Sequence, residues 1–379
     1  MSLVYTTLQS KRAIGGDPIR VMIVDDAIVV RGILVRWIEA EAGLQVVASV
    51  RSGREAIEQV ERTNPDVVIL DVDMPDIDGI TALPRLLEKK HDLVVIMSST
   101  LTRRNAEISL RALSLGAADY IPKPETTREI TTSGSFRREL IEKIRTLGAR
   151  RKQRADGAGS PPIAGAYNAP DSAPARFKLR PLPAVPPRIL LIASSTGGPQ
   201  ALIAIAGGLG AIVDLAPVLI TQHMPPTFTT ILAELLTRAS GAPAREAVDG
   251  EAIRAGKIYI APGGRHMRAV RRGGVASVAL DDGPLINFCR PAVDPMFSSA
   301  AETWGNWNLA LVLTGMGSDG TRGAADIVAA GGCVVAQDES TSIVWGMPGS
   351  VAKAGFCSAV LPIDQIAAKT IGVFAGSRS

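Results

Sequence analysis

Residues with chemically useful side chains follow the apolar runs in the second half of the chain. The stretch RILLIASSTGGPQALIAIAGG places Ser194 and Ser195 between an apolar run and a helical pattern. His223 follows the run in APVLITQHMPPTFT, and Asp319 lies in the glycine-rich turn of LALVLTGMGSDGTRG. If these runs are parallel strands, their carboxyl ends meet at one edge of a sheet. A serine, a histidine and an aspartate gathered there match a nucleophile, its general base and the acid that orients the base.

The serine stretch also has a second interpretation, as a phosphate-binding turn, because glycines and a helix N-terminus bind phosphate too. It lacks the glycine spacing of a dinucleotide-binding loop, the lysine of a P-loop and the G-x-S-x-G elbow of many hydrolases. The residues alone therefore leave a hydrolase and a nucleotide or phosphate site equally open. They also leave open whether Ser194 or Ser195 is the nucleophile, or whether both only cap the helix.

A second group of polar residues follows apolar runs in the first half of the chain. Asp25 and Asp26 close the first run, Asp71 closes the third, Ser98 closes the fourth, and Lys123 follows the fifth. Clustered carboxylates repel one another unless a cation such as Mg²⁺ holds them. A carboxylate can then accept a phosphoryl group whose oxygens a lysine and a hydroxyl stabilise. For the acidic pair alone, simple helix capping remains the alternative.

The elements that must position these groups are strands of four to eight residues separated by helical stretches. Such alternation predicts an α/β fold with two doubly wound parallel sheets. Between them, residues 149–187 contain eight prolines and no apolar periodicity, which predicts a flexible linker. GGVASVAL predicts a strand of an antiparallel hairpin. We therefore expect domains at residues 19–141 and 188–379.

Composition narrows the function classes. The chain of 379 residues is 46% hydrophobic with a net charge of +4, and its basic residues form no concentrated stripe, so we expect no DNA partner. Asp214 and Pro217 interrupt the most apolar window, 201–220, which argues against membrane insertion. With no apolar leader at the N-terminus, we expect a cytoplasmic protein. Cys289, Cys333 and Cys357 lack metal-site spacing and are expected to be buried apolar residues.

The first half resembles the receiver domain of two-component response regulators, on its acidic pair, ILDVDMPDIDG, the hydroxyl after the fourth strand and PKP. The resemblance implies a flavodoxin-like fold and phosphorylation of Asp71 by a chemotaxis-type histidine kinase. It implies that Asp25, Asp26 and Asp71 hold Mg²⁺ together with the carbonyl of Asp73. Ser98 and Lys123 then form the switch pair, and Tyr120 takes the aromatic switch position unless it is plain core.

The second half resembles the chemotaxis protein-glutamate methylesterases of the CheB family, on SSTGGPQAL, ITQHMPPTFT, IAPGGRHM and LTGMGSDGTRGA. The resemblance covers nearly the whole chain and implies a Rossmann-like catalytic domain. It implies Ser195 as nucleophile, His223 as base, Asp319 as orienting acid and the Met316 backbone as oxyanion donor. Where the family reads Gly-Ala-Ser before TGG, this chain has Ala193, Ser194 and Ser195, so the count back from TGG selects Ser195.

This resemblance implies hydrolysis of glutamate methyl esters on chemoreceptor cytoplasmic domains, and deamidation of receptor glutamines, with no cofactor for the hydrolysis. Phosphorylation of the receiver would open access to the catalytic domain. Two rivals are a phosphorylation-switched binding module with an inactive output domain, and a transcriptional regulator. The second is disfavoured because the output sequence predicts a sheet and not a small basic helix-turn-helix.

Overall fold

The computed structural model describes residues 17–124, 126, 129–130, 133–157, 177–182 and 185–376. The chain forms two compact units, and each has its own parallel sheet with helices packed against it. The predicted α/β class with two doubly wound sheets is confirmed. Among the described residues, no helix combines the length and the apolar character needed to cross a membrane.

The first unit has five strands in the order β2-β1-β3-β4-β5, all paired in parallel. The carboxyl ends of β1 and β3 are neighbours, so the order brings the acidic residues together at one edge. The strands are β1 (Ile19–Val24), β2 (Leu44–Val50), β3 (Val67–Asp71), β4 (Val94–Thr100) and β5 (Asp119–Lys123). The helices along this stretch of the chain are α1 (Ile28–Glu39), α2 (Gly53–Thr63), α3 (Gly79–Lys89), α4 (Arg103–Ser114) and α5 (Gly134–Gly157), of which α4 groups with the second unit.

Helix α5 corrects the predicted start of the linker, because residues 149–157 are helical. Arg151 explains the extension: its guanidinium pairs with Asp66 and donates to the carbonyl of Asp92, 3.0 Å away. These bonds attach the polar end of the helix to the first unit, which sequence periodicity cannot show. Residues 158–176 and 183–184 of the predicted linker lie outside the described residues.

The second unit has seven parallel strands in the order β14-β13-β12-β6-β7-β9-β8, and a separate antiparallel hairpin of β10 and β11 confirms that prediction. The strands are β6 (Ile189–Ser194), β7 (Val218–Gln222), β8 (Ala244–Glu246), β9 (Ile258–Ile260), β10 (His266–Arg272), β11 (Val275–Asp281), β12 (Asn308–Val312), β13 (Cys333–Gln337) and β14 (Ala359–Leu361). The helices are α6 (Gly198–Val213), α7 (Phe228–Ser240), α8 (Val293–Trp304), α9 (Thr321–Ala329), α10 (Met347–Lys353) and α11 (Ile363–Phe374).

Strand β6 is central to the second sheet. It lies between β12 and β7, and every residue of these three strands is buried. The chain leaves β6 towards β7 on one side and returns as β12 on the other, so β6 is a topological switch point. Ser195, His223 and Asp319 follow these three strands, so the sheet order gathers them at one edge.

Candidate functional site

The acidic residues of the first unit form one cluster. Asp25, Asp26 and Asp71 each offer a carboxylate oxygen within 4.8 Å of the others. Asp25 and Asp71 are buried and Asp26 is exposed. Two buried carboxylates beside a third fit a small divalent cation that keeps part of its water shell.

Lys123 joins the two buried carboxylates. Its Nζ lies 2.8 Å from an oxygen of Asp25 and 2.8 Å from an oxygen of Asp71. Burial disfavours the ammonium, but the two carboxylates outweigh burial and raise the pKa of Lys123. Burial also raises the pKa of Asp71 to about 6, although the charge of Lys123 opposes the rise.

Ser98 is paired in register with Asp71 on the neighbouring strand. Its hydroxyl is buried, and its Oγ has no hydrogen-bond partner within the part of the chain that the structure describes. A buried hydroxyl without a partner beside a carboxylate suits the binding of a further oxygen-bearing group there. Tyr120 is buried with the Lys143 ammonium 5.4 Å from its ring, so it serves the core in this arrangement.

The two serines after β6 differ in their surroundings. Ser194 is fully buried and donates to Oε1 of Gln222 on the neighbouring strand, at 2.6 Å. Ser195 is half-buried. Only Ser195 therefore has a side chain that an external substrate can reach, whereas the Ser194 hydroxyl serves the interior.

Hydrogen bonds hold the backbone of Ser195 in a tight turn. Its N–H donates to the carbonyl of Thr314 at 3.0 Å, and its carbonyl accepts from Gly198 N and Gln222 Nε2. Gly197 has a φ of +75°, which favours glycine, and helix α6 begins directly after it. Ser195 thus lies at a helix N-terminus, where a developing negative charge is stabilised.

His223 and Asp319 are in direct contact. His223 Nε2 lies 2.8 Å from Oδ2 of Asp319, and this carboxylate is buried. Oδ2 also accepts from Val293 N at 2.6 Å, and Oδ1 accepts from Gly320 N at 2.9 Å and from Asn287 Nδ2 at 3.1 Å. Burial opposes ionisation, but the bond to His223, its charge and the backbone N–H groups outweigh burial and lower the pKa of Asp319. A fixed, ionised carboxylate orients the imidazole.

The turn after β12 packs directly against Ser195. A Cβ added at Gly315 would lie 2.9 Å from the Ser195 Cβ and 2.5 Å from Sδ of Met347, so only glycine fits there. Met316 follows in the same turn and is partly exposed. The role of the Met316 backbone as oxyanion donor stays a prediction.

His266 holds a loop beside the site. Its Nδ1 accepts from Ala292 N at 3.1 Å, and its Nε2 lies 3.0 Å from the carbonyl of Pro284. His266 therefore fixes both ends of the loop that carries Asn287 and Cys289.

Cys289 corrects one sequence prediction, because it is not a buried apolar residue. It is half-buried, and its Sγ lies 3.4 Å from Nδ1 of His223. Burial opposes protonation of His223, but the charge of Cys289 and the bond to Asp319 outweigh burial and raise the pKa of His223 to about 10. Cys333 and Cys357 are buried, as predicted.

Sequence reasoning missed the residues that support the site. Gln222 had a signal, because it ends the strand directly before His223. Asn287 and Cys289 had none, because they lie in an irregular loop whose fold depends on His266. Met347 reaches the site from the start of helix α10, far along the sequence.

Comparisons with known proteins agree with both halves of the chain. The CheB methylesterase family matches residues 190–370, and the response regulator receiver domain family matches residues 21–133. A protein-glutamate methylesterase/protein-glutamine glutaminase of Rhodopseudomonas palustris is 58% identical, with 96% of each chain covered. One of a group 2 operon in Bradyrhizobium diazoefficiens is also 58% identical, over 99% of this chain and 98% of that protein. The CheB methylesterase catalytic domain of Thermotoga maritima is 42% identical, covering 50% of this chain and 100% of that one, at a TM-score of 0.46.

Proposed function

The chain belongs to the CheB methylesterase family, and we propose that it hydrolyses glutamate methyl esters on the cytoplasmic domains of chemoreceptors and releases methanol. The observation that carries the proposal is the 2.8 Å contact of His223 with the buried Asp319, beside the half-buried Ser195 on the adjacent strand end. The two curated relatives described above bear the name of this activity over almost the full length of the chain.

The mechanism follows from these groups. Ser195 attacks the ester carbonyl while His223 takes the hydroxyl proton, and Asp319 holds the imidazole in place. The Met316 backbone N–H and the start of helix α6 stabilise the oxyanion. His223 returns the proton to the leaving methoxide, and methanol departs. Water activated by His223 then cleaves the acyl-enzyme and leaves a glutamate; a glutamine substrate loses ammonia by the same steps.

The first unit regulates this reaction in our proposal. Asp71 accepts a phosphoryl group from a histidine kinase of the chemotaxis type, in the cytoplasm. Asp25, Asp26 and Asp71 would hold Mg²⁺ together with the carbonyl of Asp73, and the bound ion would neutralise phosphoryl charge. Lys123 leaves its present carboxylate partners to pair with the phosphoryl oxygens.

The switch itself uses the hydroxyl next to the phosphoacceptor. The unpartnered Ser98 Oγ donates to the phosphoryl group, and Tyr120 rearranges with it. Phosphorylation then shifts the population towards forms in which substrate reaches Ser195.

The test is methanol release from methylated receptor fragments, with Mg²⁺ and with or without a small-molecule phosphodonor. We expect release that rises with the phosphodonor in the wild type, does not respond to it in Asp71→Asn, and is lost in Ser195→Ala. Equal release by wild type and Ser195→Ala would reject Ser195 as nucleophile. No release from the wild type, with phosphorylation intact, would favour the binding module.

A further inference from the structure

A thiol that the proposed mechanism does not use lies against the general base. Cys289 Sγ is 3.4 Å from Nδ1 of His223, while Nε2 of the same ring is bonded to Asp319. Thiol, imidazole and buried carboxylate therefore form one chain. This is the order of groups that activates the nucleophile of cysteine hydrolases.

We propose that Cys289 is an activated thiol that soft electrophiles and hydroperoxides modify covalently, and that its modification blocks the esterase. The loss of activity rests on the proposed function, whereas the reactivity of the thiol does not. Transfer of the thiol proton to Nδ1 gives a thiolate beside an imidazolium that Asp319 stabilises.

Access distinguishes Cys289 from the other two cysteines. Cys289 is half-buried and directly follows Phe288, which is 74% exposed at the tip of a tight turn. Cys333 and Cys357 are each 1% exposed. Burial raises the pKa of both these thiols, that of Cys357 to about 12, so they are weak nucleophiles at neutral pH. They are internal controls.

The covalent step with hydrogen peroxide balances within the site. The thiolate sulfur bonds to one peroxide oxygen as the O–O bond breaks, and the departing hydroxide takes the imidazolium proton to become water. Sulfur is oxidised by two electrons to a sulfenic acid, and the peroxide is reduced. With iodoacetamide, an S–C bond forms and iodide leaves.

Modification of Cys289 blocks the esterase because it affects the one nitrogen of His223 that Asp319 does not occupy. Ester hydrolysis needs the neutral imidazole, and because Asp319 occupies Nε2, the proton of Ser195 then has to reach Nδ1, the nitrogen that faces Cys289. Atoms added to the sulfur fill the space next to Nδ1. His223 then stays in place, but its Nδ1 can no longer take the proton of Ser195.

The first test maps the reactivity of the thiols in the full-length protein. Wild type is treated with limiting iodoacetamide at pH 7, and labelled cysteines are quantified by mass spectrometry. We expect Cys289 to label at least about tenfold faster than Cys333 and Cys357, and about tenfold more slowly in His223→Gln. If that variant unfolds, all three cysteines label, and Asp319→Asn replaces it. Equal labelling of the three thiols in the folded wild type overturns the proposal.

The second test joins modification to activity. Methanol release is compared before and after peroxide, each variant against its own starting rate. Wild type, Cys333→Ser and Cys357→Ser should lose activity in proportion to Cys289 oxidation and regain it with dithiothreitol, whereas Cys289→Ser should keep its starting rate. Full release from completely modified wild type overturns the proposed block. If no methanol is released before the peroxide treatment, the proposed esterase function is contradicted. The labelling rates still test the reactivity of Cys289 in that case.

Discussion

Ser194 and Ser195 are neighbours in the chain, yet their hydroxyls have opposite surroundings. Ser194 lies inside the sheet and its bond to Gln222 is 2.6 Å long, whereas Ser195 is half-buried in the turn before helix α6. Residue type cannot separate two adjacent serines. The end of the strand separates them, because Ser194 is the last residue of the buried strand β6 and Ser195 lies in the turn that follows.

Replacing each serine by alanine should have different effects. We expect Ser195→Ala to lower the rate of methanol release by about a thousandfold or more, with little change in stability. Ser194→Ala deprives the buried Gln222 carbonyl oxygen of its donor and should cost about 1–3 kcal/mol in the free energy of unfolding. Methanol release and urea unfolding of both variants check this. Loss of activity in Ser194→Ala alone would make Ser194 the nucleophile.

The pH profile of the esterase should depend on Cys289. The base must be unprotonated to accept the Ser195 proton, so a raised pKa of His223 moves the acid limb of kcat/KM to higher pH. Cys289→Ser removes the sulfur charge that raises this pKa. We therefore expect the acid limb to move to lower pH, with Cys333→Ser as the matched control. A limb that stays in place would contradict the coupling of Cys289 to His223.

At the scale of elements, close approach of turns builds the catalytic edge. The turn after β12 packs against the turn after β6, and its Gly315 carbonyl accepts from Met347 N at 2.8 Å, at the start of helix α10. Three segments distant in sequence thus meet around Ser195. The backbone can approach this closely only because Gly315 has no side chain.

Gly315→Ala should therefore disturb the site through the backbone. The added methyl would collide with Ser195 and Met347, so we expect at least about a tenfold loss of methanol release, because small displacements of reacting groups are costly. Gly207→Ala is the control, since a Cβ at Gly207 in helix α6 meets nothing within 4 Å and should be neutral or stabilising by about 0.5–1 kcal/mol. A Gly315→Ala variant with unchanged methanol release would show that the turn can shift to accommodate the added methyl group.

At the scale of the whole molecule, two units with separate cores carry two separate chemistries. The acidic cluster belongs to the first unit and the serine, histidine and aspartate belong to the second. A ligand of one cluster should therefore stabilise its own unit directly.

Mg²⁺ should stabilise the first unit in a pH-dependent way. With a pKa of about 6, Asp71 is ionised at pH 8 and mostly protonated at pH 5, and only the carboxylate binds the ion well. Where the ion binds, a hundredfold excess over its Kd adds about 2.7 kcal/mol to the free energy of unfolding. We therefore expect the melting temperature of the first unit to rise more at pH 8 than at pH 5. Calorimetry with Mg²⁺ or EDTA checks this, with Asp71→Asn as control. An equal rise at both pH values would exclude Asp71 as a ligand.

Much of the fold was readable from sequence because its signals are local. The apolar run that opens RILLIASSTGG coincides with β6, since buried parallel strands are continuously apolar. The short strands β8 and β14 were missed because three residues give no periodicity. The helical extension 149–157 was missed because ion pairs to Asp66 and Asp92 stabilise it.

The sequence by itself determined the fold class, the two units and the set of residues at the strand ends, because apolar period and motif spacing are properties of the chain. Only the tertiary structure decided which side chains meet. It separated Ser194 from Ser195 by burial, joined His223 to Asp319, and brought Cys289 to the second nitrogen of the same imidazole. That last contact depends on a loop held by His266, and contacts between distant segments form only when the chain packs.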